Sequence, residues 1–353
     1  MISTLTWLVL NAAPLNVRIL EKEHPTRAHV EATRIQCDGA VVAGPLELSI
    51  SEGAVKIGSR SCTELVSLEN TRIRVGTLER NYSDTVSIQV EGRELRFINR
   101  VDVEDYLPGV VAAEIGDAPA AAQQAQAIVS RTFALASRKR HASAGFDLCD
   151  LAHCQAYRGQ TEATQASREA VTATAKQVLL QGGVALKPTW FHAACGGTTS
   201  TALDVFHEDV RTVSVSDAFE GKPACSSAPD FNWHWELPTV DLQKAIGGNA
   251  AVAPFAPLKR DAGGRVMELT SFGKRFSGTE FASLVGKQFG WLSLRSLRVT
   301  VTEVEGTLTF QGTGSGHGVG LCQAGARRLA EKKQTATQIL KRYYPESLVR
   351  PFE

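Results

Sequence analysis

The sequence predicts an α+β fold, in which a β-rich N-terminal module is joined to a mixed catalytic domain with one long central helix. Segments that alternate apolar and polar residues fill the first hundred positions, a pattern typical of half-buried strands. A long run of helix-forming residues follows, and the 30 glycines indicate many turns. At ~150 residues per domain, the 353 residues give about two folded units. We expect the module to cover residues 1–94 and the mixed domain to cover residues 95–353.

Composition and charge exclude several classes of protein. Lys and Arg number 38 and Asp and Glu 37, so the formal charge is +1. A nearly neutral chain has no electrostatic basis for binding nucleic acid or an anionic membrane as its main partner. Hydrophobic residues make up 43% of the chain, which is enough apolar surface to offset chain entropy and exclude a mainly disordered protein. No window approaches the ~20 apolar residues of a membrane span.

The N-terminal segment fits more than one interpretation. An apolar stretch at residues 5–10 is followed by Asn11, Ala12 and Ala13. This resembles the core and cleavage site of a secretory signal, but no Lys or Arg precedes it. A first β-strand fits equally well, and so does a start codon placed too far downstream. The segment therefore leaves export open.

Short strands account for the pattern of the first hundred residues. Side chains alternate between apolar and polar at residues 16–20, 46–50 and 86–90, which predicts half-buried strands. Glu91 and Gly92 then predict a turn into a strand at 95–98. This region contains no set of residues suited to catalysis.

Helical signals begin after Val101. Asp102 is a suitable N-cap for a short helix over residues 103–107, which Pro108 and Gly109 are predicted to end.

A long helix is predicted from Pro119 to about Arg138, because proline suits a first turn and the following residues have high helix propensity. In this helix Gln124, Ile128 and Arg131 lie on one face. The remaining predicted helices are 163–174, 240–246, 279–287, 322–331 and 335–343. Hairpins are predicted at 178–186 and around 263–264, and strands at 294–303 and 306–311.

Glu114 is the first candidate for chemistry. It follows the apolar residues 110–113. A carboxyl group that loses water without gaining a paired cation has a raised pKa, which makes it a proton donor near neutral pH. The alternative is a surface glutamate at a helix end.

A glycine-rich loop is the second candidate. Glycine occupies every second position from 312 to 320, so the backbone can take positive φ and approach a ligand closely. The Walker spacing is missing and no βαβ unit follows, which argues against a phosphate site. We interpret His317 as an imidazole presented at a cleft wall. A tight structural turn, with His317 hydrogen-bonded to the backbone, is the alternative.

The cysteines supply the third candidate. Seven are present, an odd number that cannot pair completely within one chain. Cys149, His153 and Cys154 are close enough to suit a zinc site, with further ligands from His141 or from Cys195 and Cys225. A disulfide, or reduced core cysteines beside an exposed histidine, fits equally.

A nucleophilic cysteine is a further alternative. Either Cys322, at a predicted helix start, or Cys154 would pair with His317. Nothing in the sequence fixes a base against either thiol, so Glu114 is the preferred candidate.

Several segments together resemble the SpoIID/LytB (stage II sporulation protein D) family. The matching blocks follow the family's order and span roughly residues 95–346. They are VDVEDYLPGVVAAE (101–114), AQAIVSRTFAL (125–135), HCQAYRG (153–159), CGGTT (195–199), GSGHGVGLCQAGA (314–326) and ILKRYYP (339–345).

The resemblance implies peptidoglycan cleavage by lytic transglycosylation, acting on glycan strands stripped of stem peptides and leaving 1,6-anhydro-muramyl ends. It assigns the catalytic acid/base to Glu114 and further catalytic roles to Arg131 and His153. The family often has lysine where this chain has Gln124, so the presumed cleft has one cation fewer. Substrate contacts are assigned to Gln124, Gln126, Tyr157, His317 and Gln323.

The resemblance also bears on cofactors, partners and location. Some members bind zinc through one histidine and two cysteines, and the nearest match here is His141, Cys149 and Cys154. Such an ion would be structural, because the chemistry itself needs no cofactor. The implied partners are peptidoglycan glycan strands and cell-wall amidases, with no nucleic acid. The implied location is the cell envelope, either the periplasm or the cell exterior.

Two other functions fit the same residues. The chain could be a noncatalytic glycan-binding module that recruits or enhances a cell-wall amidase, which the replacement of lysine by Gln124 would favour. A zinc hydrolase built on the cysteine–histidine segment is the third possibility.

Overall fold

The computed structural model describes residues 13–183, 185–229 and 231–352. The apolar N-terminal segment, interpreted above as a signal or a first strand, lies almost wholly outside the described residues. The architecture is mixed α+β, with a large N-terminal sheet that is mostly antiparallel and several small sheets and helices. This confirms the predicted fold class at that level. No helix in the described residues is long and apolar enough to cross a membrane.

The chain divides into two compact units. The first runs to residue 179 and includes residues 186–188 and those from 349 onward, and the second holds residues 180–185 and 189–348. The predicted boundary between residues 94 and 95 stays a prediction. Three strands contain or adjoin, in sequence, the residues where one unit ends and the other begins. They are Gln177–Gln181, Ala185–Leu186 and Ser347–Pro351.

A large sheet forms most of the first unit. Its N-terminal strands are β1 (Leu15–Ile19), β2 (Arg27–Cys37), β3 (Ala40–Val42), β4 (Leu46–Ser51), β5 (Ala54–Ile57), β6 (Arg60–Cys62), β7 (Val66–Val75), β8 (Leu78–Glu91) and β9 (Glu94–Val101). Strand β10 (Leu148–Cys149) extends the sheet by pairing in parallel with β1. The strand order is β10-β1-β9-β8-β7-β2-β4-β5-β6, with β3 paired to β2. In strands that alternate in sequence, the apolar side chains are buried on one face, as Leu15, Val17 and Ile19 show in β1.

A disulfide between Cys37 and Cys62 joins the end of β2 to β6. The sequence did not predict this pair, because the two cysteines are 25 residues apart and meet only through the sheet.

The described residues of the first unit also form the α-helices α1 (Val103–Ile115), α2 (Ala120–Ala136) and α3 (Gln165–Ala173). The predicted end of the first helix at Pro108 is wrong, because α1 continues through this residue to Ile115. Proline removes one backbone donor from a helix interior. Burial of Tyr106, Leu107, Val110 and Val111, all 0% exposed, compensates for that loss.

The second unit contains small sheets and five helices within its described residues. Its helices are α4 (Ala202–Phe206), α5 (Thr239–Ile246), α6 (Gly278–Phe289), α7 (Gln323–Glu331) and α8 (Ala336–Tyr343). Its other strands are Phe191–His192, Ala218–Phe219, Lys222–Pro223, Asn232–Pro238, Ala256–Arg260, Val266–Ser271, Lys274–Ser277, Val299–Val304, Thr307–Thr313 and Leu321–Cys322. The predicted helices α5 to α8 are confirmed within a residue or two, whereas α4 lies in a region that the sequence indicated as irregular.

Gly109 provides a test of packing in the first unit. A Cβ atom at this position would lie 2.2 Å from the carbonyl oxygen of Gly159. In an exposed helix, replacing glycine by alanine stabilises a protein by about 1 kcal/mol. Here the backbone contact reverses the sign, so we expect Gly109→Ala to destabilise the protein by about 1–3 kcal/mol in urea unfolding. Glu169→Ala, on the exposed surface of α3, is the control and should stay within about 0.5 kcal/mol of the parent. An unchanged or higher stability for Gly109→Ala would contradict the packing described.

Candidate functional site

Glu114 lies in the last turn of α1, where it is half-buried. One oxygen of its carboxylate accepts a hydrogen bond from the backbone N–H of Ala156 at 2.7 Å. The preceding residues Val110 and Val111 are fully buried, so the apolar setting predicted from the sequence exists on that side of the helix. The carboxylate is therefore held against a segment 42 residues away in the chain.

A buried polar network fixes the segment that carries Ala156. The hydroxyl of Tyr106 in α1 donates to the side-chain oxygen of Gln155 at 3.2 Å. The Gln155 amide in turn donates to the backbone oxygen of Ser130 in α2 at 3.4 Å. Because all three residues are fully buried, breaking one of these bonds would leave a polar group without water.

Two residues predicted to contact substrate also lie inside the protein. Gln126 is 0% exposed and donates to the hydroxyl of Ser130 at 3.0 Å. Tyr157 is also 0% exposed and donates to the side-chain oxygen of Asn99 in β9 at 2.9 Å. Gln124 is half-buried. Their roles toward substrate stay predictions.

Arg131 forms an ion pair between α2 and α1. Its guanidinium is 0% exposed and donates to both carboxylate oxygens of Glu104 at 2.7 Å. It also donates to the backbone oxygen of Gln177 at 3.1 Å. A bidentate pair of this kind is strong and geometrically specific, so it fixes the first turn of α1 against α2. The catalytic role that the resemblance implies for Arg131 stays a prediction.

The His/Cys cluster consists of His141, Cys149, His153 and Cys154. The four ligand atoms lie within 4.8 Å of one another. Nε2 of His141 is 3.3 Å from the Cys154 sulfur, and the Cys149 sulfur is 3.5 Å from Nδ1 of His153. Hydrogen bonds from Cys149, and then from the two histidines, lower the pKa of Cys154.

This donor set fits a tetrahedral zinc site of the Cys₂His₂ type. The three ligands expected from the sequence lie together, and His153, expected to act in catalysis, lies with them. Cys149 is placed by the pairing of β10 with β1, and Cys154 lies two residues before Ala156.

Cys195 and Cys225 belong to a different group, in the second unit. The Cys/Asp cluster consists of Cys195, Asp217, Cys225 and Cys322, whose ligand atoms also lie within 4.8 Å of one another. Burial raises the pKa of Asp217 to about 6. Hydrogen bonds from Cys195 and Cys322 lower the pKa of Cys225. This buried cluster could hold a metal ion.

His317 and Gln323 lie in the second unit. Nδ1 of His317 accepts the backbone N–H of Val319 at 3.0 Å, which matches the structural turn considered from the sequence. The imidazole is half-buried, with its ring centre 5.0 Å from that of Phe206, and it borders a cavity of about 290 Å³. Burial lowers the pKa of His317 to about 4, so the ring is neutral at physiological pH. Gln323 is the half-buried first residue of α7.

Comparison with known proteins finds similarity to one family. Residues 91–180 match the family model for SpoIID, described as stage II sporulation protein. This part of the chain is similar to the SpoIID family. Stage II sporulation protein D of Bacillus amyloliquefaciens is 24% identical over 282 residues, which cover 73% of this chain and 77% of that protein. The Bacillus subtilis protein of the same name gives the same identity and coverage.

An uncharacterized protein of Brachyspira hyodysenteriae is 28% identical over 272 residues, 74% of this chain and 68% of that protein. The part matched by the SpoIID model contains α1, α2 and the His/Cys cluster. Proteins of the SpoIID family are, as a class, cell-wall lytic enzymes.

The lowered pKa of His317 predicts a pH-dependent contribution to stability. Between pH 6.5 and 4 the unfolded chain binds a proton at this position that the folded chain excludes. Stability should therefore fall as the pH drops through this window, by at most about 1.4 kcal/mol per pH unit from this group. The His317→Gln variant lacks the group and should lose less stability than the parent. Urea unfolding of both proteins at several values between pH 7 and pH 4 measures the difference, and parallel profiles would contradict the assignment.

Proposed function

We propose that this protein is a lytic transglycosylase that cleaves peptide-free peptidoglycan strands, with Glu114 as its acid/base. The observation that carries the proposal is the position of Glu114, half-buried at the end of α1 and held by the Ala156 N–H at 2.7 Å. A catalytic carboxyl group must be oriented as well as present, because misplacement by about 1 Å can cost a hundredfold in rate. The hydrogen bond supplies that orientation.

A single carboxyl group is sufficient for this reaction. Hydrolytic glycosidases generally use two carboxylates, one to protonate the leaving group and one to act as nucleophile or to activate water. In transglycosylation the nucleophile is the C6 hydroxyl of the muramic acid itself. Glu114 as the acid protonates the glycosidic oxygen while the C6 oxygen bonds to the anomeric carbon. Its carboxylate then takes the proton released from the C6 hydroxyl, so the enzyme is regenerated and no water is consumed.

The residues around Glu114 have positioning roles in this proposal. Arg131 fixes the first turn of α1 through Glu104, and Tyr106 fixes Gln155 beside Ala156. Both ends of α1 are therefore attached to other elements of the first unit. The roles of Gln124, His317 and Gln323 toward substrate stay predictions.

The His/Cys cluster would hold a structural zinc ion. Bound zinc would supply a fixed connection between the chain segments around His141, Cys149 and Cys154, as structural zinc does in small domains. In this assignment His153 is a ligand. Two of the ligands, His153 and Cys154, lie immediately before Gln155 and Ala156, so they would hold the segment whose N–H orients Glu114.

Glycan strands are the proposed partner, and the cell envelope is the proposed location. The Cys37–Cys62 disulfide supports this location, because disulfides persist mainly in oxidising compartments such as the periplasm and cell exterior. Amidases that remove stem peptides would supply the substrate, which makes them candidate partners.

Replacement of the acid tests the proposed reaction. We expect Glu114→Gln to lower the rate of strand cleavage by about 10²–10⁴, because the amide cannot transfer a proton to the glycosidic oxygen. The measurement is mass spectrometry of anhydro-muramyl products from peptide-free strands. Glu169→Gln, on the exposed surface of α3, is the control and should match the parent. Strand binding without products in the parent protein would instead favour the noncatalytic glycan-binding module.

The His/Cys cluster gives a second test. We expect Cys154→Ser to lower zinc content by about one ion per chain and to lower kcat about tenfold or more, with a smaller effect on KM. The reason is that a loosened segment no longer fixes the Ala156 N–H against Glu114. Elemental analysis and steady-state kinetics measure the two effects. Full activity in a zinc-depleted Cys154→Ser protein would refute the positioning role.

A further inference from the structure

We propose that the Cys/Asp cluster is a second structural zinc site, which holds together three segments of the second unit. Its ligands would be the thiolates of Cys195, Cys225 and Cys322 and the carboxylate of Asp217. The proposal does not depend on the function proposed above.

The geometry of the cluster suits a single ion. All four residues are 0% exposed, and their ligand atoms lie within 4.8 Å of one another. The Cys195 and Cys225 sulfurs are 3.5 Å apart. Sulfurs bound to zinc at ~2.3 Å in a tetrahedron are separated by roughly 3.8 Å, so small side-chain movements would complete the site.

Backbone donors around the sulfurs favour thiolates. The N–H of Gly197 donates to the Cys195 sulfur at 3.3 Å. The Cys322 sulfur accepts from the N–H of Cys195 at 3.2 Å and from that of Gly325 at 3.4 Å. Neutral thiols are weak acceptors, whereas metal-bound thiolates are commonly oriented by such outer hydrogen bonds.

Asp217 is oriented in the same way. The hydroxyl of Tyr343 donates to one carboxylate oxygen at 2.6 Å, and the N–H of Cys225 donates to the other at 2.9 Å. A Cβ atom at Gly325 would lie 2.0 Å from the Tyr343 hydroxyl and 2.8 Å from the Asp217 carboxylate. Glycine at position 325 therefore leaves room for the hydrogen bond between the Tyr343 hydroxyl and the Asp217 carboxylate.

A bound cation would compensate the negative charges that the cluster carries when its acidic groups ionise, and a disulfide would not. Several buried acidic groups in contact cannot all ionise without a compensating charge. A Cys195–Cys225 disulfide would leave the Cys322 thiol and the oriented carboxylate beside it without a role. A divalent ion with thiolate affinity uses all four ligands, and the three-sulfur set selects zinc over magnesium or calcium.

The site would fix the loop that contains His317. Cys322 is the N-cap of α7 and directly precedes Gln323. Cys195 follows the strand Phe191–His192, which pairs with Leu321–Cys322. Asp217 and Cys225 flank the hairpin formed by Ala218–Phe219 and Lys222–Pro223 and supply the third segment, so one ion would join parts of the chain up to 127 residues apart.

The experiment uses the full chain with Cys149→Ser and Cys154→Ser, so that the His/Cys cluster contributes no thiolates. This protein is prepared with zinc and without chelators, and its metal content is measured by elemental mass spectrometry. We expect about one zinc ion per chain, falling at least fivefold when Cys225→Ser or Asp217→Asn is added. Ser227→Ala, an exposed residue of the same turn, is the matched control and should retain the metal.

Two further measurements keep the result interpretable if a variant misfolds. Cobalt is added to the metal-free protein that carries Cys149→Ser and Cys154→Ser. It should give intense thiolate-to-cobalt charge-transfer bands, which a site without cysteine cannot produce. Alkylation after denaturation with chelator should label Cys195, Cys225 and Cys322 as free thiols. Substoichiometric zinc together with a Cys195–Cys225 disulfide in the mass spectrum would overturn the proposal.

Discussion

The hydrogen bond from the Ala156 N–H to the Glu114 carboxylate joins the end of α1 to a distant segment of the first unit. Much of the surrounding structure serves this contact. Tyr106, Gln155 and Ser130 form a chain of buried hydrogen bonds that fixes the segment from one side. The His/Cys cluster lies just before it in the chain. A carboxylate on an exposed helix end would sample many rotamers, whereas this one has a defined partner and a restricted environment.

Buried polar groups occur in both units, and leaving any of them without a hydrogen-bond partner would lower the free energy of unfolding. Arg131 and Glu104 meet this requirement as an ion pair, and Asp217 meets it through Tyr343 and Cys225. Replacing such groups by apolar residues often preserves stability, so their presence indicates a need for defined geometry. In the first unit the geometry defined is that of α1. In the second unit it is that of the chain around Cys322.

The sequence correctly predicted the strands and helices that are determined by residues adjacent in the chain. Alternation predicted the strands at 16–20 and 46–50, and a first-turn proline with high helix propensity predicted α2. The helices α5 to α8 were also predicted close to their observed bounds. The predicted end of the first helix at Pro108 was wrong, because the burial of neighbouring side chains compensates for the missing backbone donor. That burial depends on the folded protein and cannot be inferred from the neighbouring sequence. The Cys37–Cys62 disulfide and the Cys/Asp cluster were missed because their members meet only in the folded chain. Family blocks pointed to Glu114, but its bond to Ala156 required coordinates.

The attachment of α1 at both ends affects how inactive variants should be interpreted. Glu104 and Glu114 are ten residues apart on one helix, roughly 15 Å along its axis. A change at Arg131 would release the first turn of α1, so the helix could tilt and move Glu114, the proposed acid, without touching it. If the proposed reaction holds, substitutions along the contact between α1 and α2 would therefore lower activity without altering Glu114. Such positions would show which contacts hold the helix that carries Glu114.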